Sequence, residues 1–268
     1  MYHLERLHMK CKRKQTGGAE RMQIITTAII KGGGGKTTTC TALAQAAAAD
    51  GKRVLAIDLD PQGNCTFSIG ANQNAPGSYD LLHGADPAQL IQHTAQGIDA
   101  IPAAPDLATE QTKPASARRL QTALEPIKKG YDFIFIDTGP TLGELTYNAL
   151  QAATGLLVPL EADFYGLQGL YQICDIAHQI QGRSNPGLHL LGCVITRYDK
   201  RSKINRHWRS VIEEKGAENG APLLAAIRAG VAIKEAQAMQ QSLFEYAPRS
   251  KAAQDYKDLY DTLKRGGK

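Results

Sequence analysis

From residue 22 onward, short apolar runs alternate with longer stretches whose apolar positions recur every three or four residues. The runs predict strands at Ile24–Ile30, Val54–Asp58, Asp99–Pro102, Phe133–Asp137, Gly155–Pro159 and Leu188–Ile195. The periodic stretches predict helices over Thr37–Asp50, Ala115–Lys129, Leu142–Ala153, Tyr165–Gln181 and Lys203–Lys215. Alternation at this spacing means βαβ units and a mostly parallel sheet. In Phe133-Ile134-Phe135-Ile136 every position is apolar, as a strand covered on both faces requires. The expected fold is a single-domain α/β unit over 22–268, a mostly parallel twisted sheet with helices on both faces. A chain of 268 residues is long enough for one full core. Near the end, Tyr256, Leu259, Tyr260 and Leu263 recur at helical spacing. Asp255, Asp258 and Asp261 between them make the stripe a poor match to anionic lipid, so a helix docking on the core is expected.

Composition refines this in two respects. Hydrophobic residues make up 43% of the chain, which excludes a disordered polymer. The formal net charge of +5 sits almost entirely in residues 1–21, where six Lys/Arg face only Glu5 and Glu20. That segment reads as a basic, disordered arm or as an over-long start with Met22 the alternative initiator. Any nucleic-acid surface on the body must therefore come from local clusters. The five cysteines form no C-x-x-C pair, which argues against a zinc site and for a reducing compartment. No apolar run approaches the roughly 20 residues of a membrane-spanning helix, and residues 1–21 lack the apolar centre of a signal peptide. A cytoplasmic protein is expected.

Three predicted strand ends carry chemistry. The first runs into Lys31-Gly32-Gly33-Gly34-Gly35-Lys36-Thr37-Thr38 and then a helix. Glycines let the backbone close around phosphates with its N–H groups inward, and the helix start adds partial positive charge. Lys36 would reach the β- and γ-phosphates of ATP, and the Thr37 hydroxyl would ligate Mg2+. A plain glycine turn is the alternative, but Gly-Lys-Thr between a strand and a helix disfavours it. The first glycine of the usual G-x-x-x-x-G-K-[ST] pattern is replaced by Ile30, and Lys31 opens the loop. A lysine there is better placed for the phosphates of a second molecule docked face to face. The second strand delivers Asp58 and Asp60 before a Pro61–Gly63 turn. Asp60 is a candidate holder of the attacking water, and Asp58 a candidate support for magnesium's water shell or the loop lysine. The third delivers Asp137, a second magnesium-side group. Each aspartate alone could be a turn or cap residue; three such strand ends together point to a nucleotide.

With Lys31–Thr38, Asp58–Asn64 and Asp137–Leu145 in view, the chain resembles the deviant Walker A P-loop ATPases of the ParA/MinD family, most closely the ParA partition proteins. The likeness continues through Asn148–Leu150, Pro159–Gly169, Thr196-Arg197-Tyr198-Asp199 and Tyr246-Ala247-Pro248-Arg249-Ser250. It implies a nucleotide-switched homodimer in which Lys31 crosses to the partner's phosphates. Asp60 would position water, and Asp137 would serve magnesium. It further implies an ATP-bound dimer that coats double-stranded DNA non-specifically, nucleoid association, and a ParB-like partner that triggers slow hydrolysis. Departures are also present. Gly34 stands where the family usually has a β-branched residue. The usual Asp-x-Pro-Pro reads Asp137-Thr138-Gly139-Pro140. The usual Pro-Arg turn beside adenine reads Ala226-Ile227-Arg228-Ala229-Gly230, and Ala232 occupies a DNA-contacting arginine position. Relatives with an intersubunit iron–sulfur cluster need a cysteine set that Cys40, Cys65, Cys174 and Cys193 do not supply.

Arg197, Lys200, Arg201, Lys203, Arg206 and Arg209, with Trp208 among them, are opposed only by Asp199. Such a cluster can neutralise DNA phosphates, although a solvated helix face is the ordinary role of a charge run. Arg201, Lys203 and Arg206 are the leading DNA candidates, with Arg228, Lys234, Arg249 and Lys251 behind them. Two other functions stay open: a MinD-like membrane-cycling ATPase, and a metabolic ligase of the same loop family that activates a small carboxylate.

Overall fold

The computed structural model describes residues 22–110 and 118–266. The basic opening segment lies outside these residues, as does the start of the helix expected from Ala115. Among the described residues, β1 (Gln23–Thr27), β2 (Val54–Leu59), β3 (Gln92–His93), β4 (Asp99–Ile101), β5 (Phe133–Thr138), β6 (Gly155–Glu161), β7 (His189–Tyr198) and β8 (Leu223–Arg228) form one sheet. Their order is β3-β4-β2-β5-β1-β6-β7-β8. Pairing is parallel throughout except at the β3–β4 edge. Because β1 lies between β5 and β6, the chain winds away from it in both directions. The crevice outside the carboxyl ends of these strands is where open α/β sheets bind ligands.

The main helices are α1 (Lys36–Ala49), α2 (Glu144–Ala152), α3 (Phe164–Arg183), α4 (Lys203–Glu218), α5 (Val231–Ala238) and α6 (Lys251–Gly266). They cover both faces of the sheet, as the uninterrupted apolar strands predicted. Phe133 and Phe135 pack with Leu43 of α1 and Tyr256 and Tyr260 of α6. Ile134 and Ile136 point the other way, to Leu145 and Ala149 of α2. The C-terminal apolar stripe is spent on this core: Tyr256, Leu259, Tyr260 and Leu263 are all buried. α1 is buried along most of its length and correspondingly alanine-rich, since only small side chains let it lie close to the sheet.

Three expected elements need correction, and one strand had no counterpart among the expected elements. Within the described part of the helix predicted over Ala115–Lys129, α-helix runs over Arg119–Leu124 and a 3-10 turn follows at Lys128–Gly130. Pro126 has no N–H to donate to the carbonyl of Thr122, so the helical ladder stops at Leu124 although Glu125 itself keeps helical backbone angles. β1 ends at Thr27 rather than Ile30 because residues 28–30 leave the ladder to enter the glycine loop. α2 begins at Glu144, leaving Leu142 exposed. β8 was not foreseen: its run Leu223-Leu224-Ala225-Ala226-Ile227 holds only one β-branched residue, and its strand character comes from pairing with β7.

Candidate nucleotide site

The chain crosses from β1 to α1 through the glycine loop. Gly33 and Gly35 hold φ of 79° and 89°, in the left-handed region that L side chains rarely adopt. Gly35 also lacks room: a Cβ there would stand 2.8 Å from Thr196 Cγ2. The Thr196 hydroxyl donates to Gly34 O at 3.0 Å, so the end of β7 braces the loop from outside. No side chain caps the start of α1, which leaves its first N–H groups directed at the loop. Lys36 is buried and its Nζ donates to Lys31 O at 3.0 Å. Burial pulls its pKa below the ordinary lysine value, against the opposing charges of Asp137 and Asp60.

The three aspartates arrive as the strand ends predicted. Asp58 and Asp137 are register neighbours on β2 and β5, and Thr27 pairs with Asp137 from β1. Asp137 Oδ2 accepts from the Thr37 hydroxyl at 2.7 Å. Burial first, and then the Asp58 charge, push the Asp137 carboxyl well above the ordinary carboxylate range. Asp58 is raised to about 6 by the same burial, against hydrogen bonds from Thr66 and Asp60. Its oxygens are committed to structure: Oδ1 accepts from Asp60 N–H at 3.0 Å, and Oδ2 from Thr66 N–H at 2.8 Å and the Thr66 hydroxyl at 2.7 Å. Asp58 thus orders the turn that carries Asp60. Asp60 itself lies beside Gly139 and accepts from Gln62 N–H at 3.1 Å.

A divalent cation and a phosphate bound here would offset the burial that raises the two carboxylates and lowers the lysine. The donor chemistry fits Mg2+. Among the described residues no group of three His, Cys, Asp or Glu side chains could hold a metal alone. Mg2+ is ordinarily held by one or two protein oxygens together with substrate phosphates and water. Thr37 and Asp137, hydrogen-bonded to each other, are the oxygens that would supply that pair.

Lys31 is held elsewhere. Its Nζ donates to Asp163 Oδ2 at 2.8 Å and lies 3.5 Å from Glu161 Oε2, both at the β6–α3 junction. Beside Gly35 and Thr38 a cleft of about 420 Å³ opens, lined also by Ile227, Arg228, Val231 and Tyr256.

The family described as AAA domain (AAA_31) matches residues 22–190. The chromosome-partitioning ATPase Soj of Thermus thermophilus is 36% identical over 222 residues, 82% of this chain and 87% of that one. This chain belongs to the ParA/MinD family of P-loop ATPases. Two solved structures agree. An ATP complex of a single-residue variant of McdA from Cyanothece superposes with TM-score 0.80 at 25% identity, covering 90% of this chain and 96% of that one. A cobyrinic acid a,c-diamide synthase from Mycobacterium smegmatis, with bound ADP and magnesium, superposes with TM-score 0.75 at 29% identity, covering 91% and 95%.

Within this ParA/MinD fold the basic candidates separate. Arg201, Lys203 and Arg206 are exposed at and just before the start of α4, where Arg206 donates to Lys200 O and Arg201 O. Arg249 and Lys251 are exposed where α6 begins. Arg228 and Lys234 instead line the cleft beside the loop, and Arg228 is tied to Asp255 through Nε at 2.8 Å and Nη2 at 2.5 Å. Sequence reasoning left three features of the site unassigned: the carboxylates Glu161 and Asp163 that hold Lys31, the Thr196 brace, and the cleft. The stretches containing Glu161, Asp163 and Thr196 were legible as family likeness, but no spacing rule joins Lys31 to residues about 130 positions away.

Proposed function

We propose that this chain is an ATP-dependent, dimerising ATPase that binds double-stranded DNA without sequence preference and partitions or positions a cargo with a ParB-like adaptor. The observation that carries the reading is the separation of the two loop lysines. Lys36 folds onto its own loop, while Lys31 is held outside it by two carboxylates, which it would leave to serve a second subunit. In this reading Lys36 and the loop N–H groups neutralise the β- and γ-phosphates, and Thr37 and Asp137 hold Mg2+. Asp58 orders the turn from which Asp60 positions water, and the partner's Lys31 completes the charge neutralisation. Swinging the dimer from 1:99 to 99:1 requires ATP to favour it by about 5.5 kcal/mol. Arg201, Lys203 and Arg206 present the DNA surface, supported by Arg249 and Lys251; Arg228 and Lys234 contribute from the cleft edge.

The test is binding to random duplex DNA with ATP, with ADP and without nucleotide, at two salt concentrations. Binding seen only with ATP and weakened by salt supports the proposal; no binding in any state removes the DNA role. The likeness to the mycobacterial synthase favours a second reading, activation of a small carboxylate by ATP. That reading predicts ADP release stimulated by the carboxylate and indifferent to DNA.

A further inference from the structure

Arg197, counted by sequence with the DNA-facing charges, stands apart from them in the structure. Between Ile195 opposite Ala226 and Tyr198 opposite Arg228, β7 carries one more residue than β8. Such bulges re-aim a side chain and recur beside active sites. Arg197 sits in this bulge at φ 51°, one of two non-glycine residues with positive φ among those described. A strained backbone of this kind persists only where its surroundings enforce it. The result is that Arg197 reaches the glycine loop. Its Nη1 is 3.9 Å from where a Cβ on Gly33 would be, and it lines the cleft together with Gly35 and Thr38. Its hydrogen-bond partner among the described residues is Glu161, from Nη1 to Oε1 at 2.6 Å. Glu161 is the same carboxylate that lies 3.5 Å from Lys31.

We propose that Arg197 is a nucleotide-contacting residue acting within its own subunit: it bonds the phosphate chain held in its own loop. Glu161 is its counter-ion when no nucleotide is bound. The planar guanidinium forks onto phosphate oxygens, which a lysine cannot reproduce. The phosphate chain takes over from Glu161, and the carboxylate then loses one of its two cations. This inference rests on the nucleotide-binding part of the proposed function, and it separates Arg197 from Lys31. Arg197 contributes to ADP and ATP alike in the monomer, whereas Lys31 acts on ATP in the partner.

The experiment is titration of the full chain with a fluorescent ADP analogue and Mg2+, comparing wild type with Arg197→Ala, Arg197→Lys and Glu161→Gln. Arg197→Ala should weaken ADP about tenfold, the scale of a charge-assisted bond discounted because the Arg197 side chain is exposed. Arg197→Lys should recover only part of that loss. Glu161→Gln, which removes the competing carboxylate, should bind ADP at least as tightly as wild type. Arg197→Gly removes the guanidinium while accepting the positive φ without strain, so it keeps the test open if the alanine variant folds poorly. Affinity within about twofold of wild type in the alanine and glycine variants overturns the proposal. So does equal weakening by Glu161→Gln, which would mark the pair as a brace for the loop. Wild-type protein that binds no nucleotide overturns this inference and the proposed function together; wild-type binding with an indifferent Arg197 overturns this inference alone.

Discussion

The glycines of the loop are not equivalent, and Gly35→Ala should separate them. At Gly35 the backbone holds φ at 89°, which costs an L side chain about 1–2 kcal/mol. The new Cβ would meet Thr196 Cγ2 at 2.8 Å and Thr196 Cβ and Oγ1 at 3.2 Å. Thr196 is buried, and its hydroxyl donates to Gly34 O and Leu160 O, so it has little freedom to swing aside. Overpacking against a held neighbour adds about 1–3 kcal/mol. The reduced freedom of the unfolded chain returns about 0.4–1 kcal/mol. The net loss is about 1–4.5 kcal/mol, or about 2–18 °C in Tm for a chain of this size. Gly32→Ala is the control: its Cβ meets nothing within 4 Å and its φ is outside the left-handed region, so stability should move by less than about 0.5 kcal/mol. Urea unfolding of both variants, with and without Mg-ADP, reads the difference. A Gly35→Ala protein as stable as wild type and still stabilised by Mg-ADP would refute the reasoning that this loop is held in one phosphate-ready shape by Thr196.

The other expected outcomes bear on the switch. Lys31→Ala should lose ATP-induced dimers in gel filtration while retaining ADP binding; dimers that persist unchanged remove Lys31 from the interface. Asp163→Asn keeps an acceptor for Gly166 N–H at the start of α3 but removes the negative charge that pairs with Lys31, so ATP dimers should tighten about threefold, the scale of a part-exposed ion pair. Asp60→Ala should slow ATP turnover by about a hundredfold and lengthen the life of the ATP dimer; normal turnover excludes Asp60 from water activation. Combining Arg201→Ala, Lys203→Ala and Arg206→Ala should lower the salt dependence of DNA binding, log K against log salt, by about two to three, and an unchanged slope moves the DNA surface elsewhere.

What the sequence disclosed was local in character. The loop, Asp58, Asp60 and Asp137 were readable because a strand, a turn and a helix start each carry their own pattern within about eight residues. Gly34 shows where local reading ended. It stands where the family usually has a β-branched residue, yet a Cβ there would meet Ile29 Cγ2 and Pro159 O at 3.1 Å, so the glycine fits a crowded site. The counter-ions of Lys31 and Arg197 were invisible for the same reason, since the sheet alone brings β6 beside the loop. Their nature nonetheless has a physical logic. Arg119 bridges Glu110 at 2.7 Å and Glu144 at 3.0 Å, and both carboxylates are wholly buried. Breaking such a bridge strands a charge at about 3–5 kcal/mol, which makes it a fixed brace. Glu161 and Asp163 keep 29% and 39% of their side chains exposed. Pairs of that kind are worth about 0–1 kcal/mol and exchange easily for a stronger anion. In the proposed cycle, where the cation moves from a carboxylate to a triphosphate, a weak resting partner is required, and the exposure of Glu161 and Asp163 keeps their ion pairs weak.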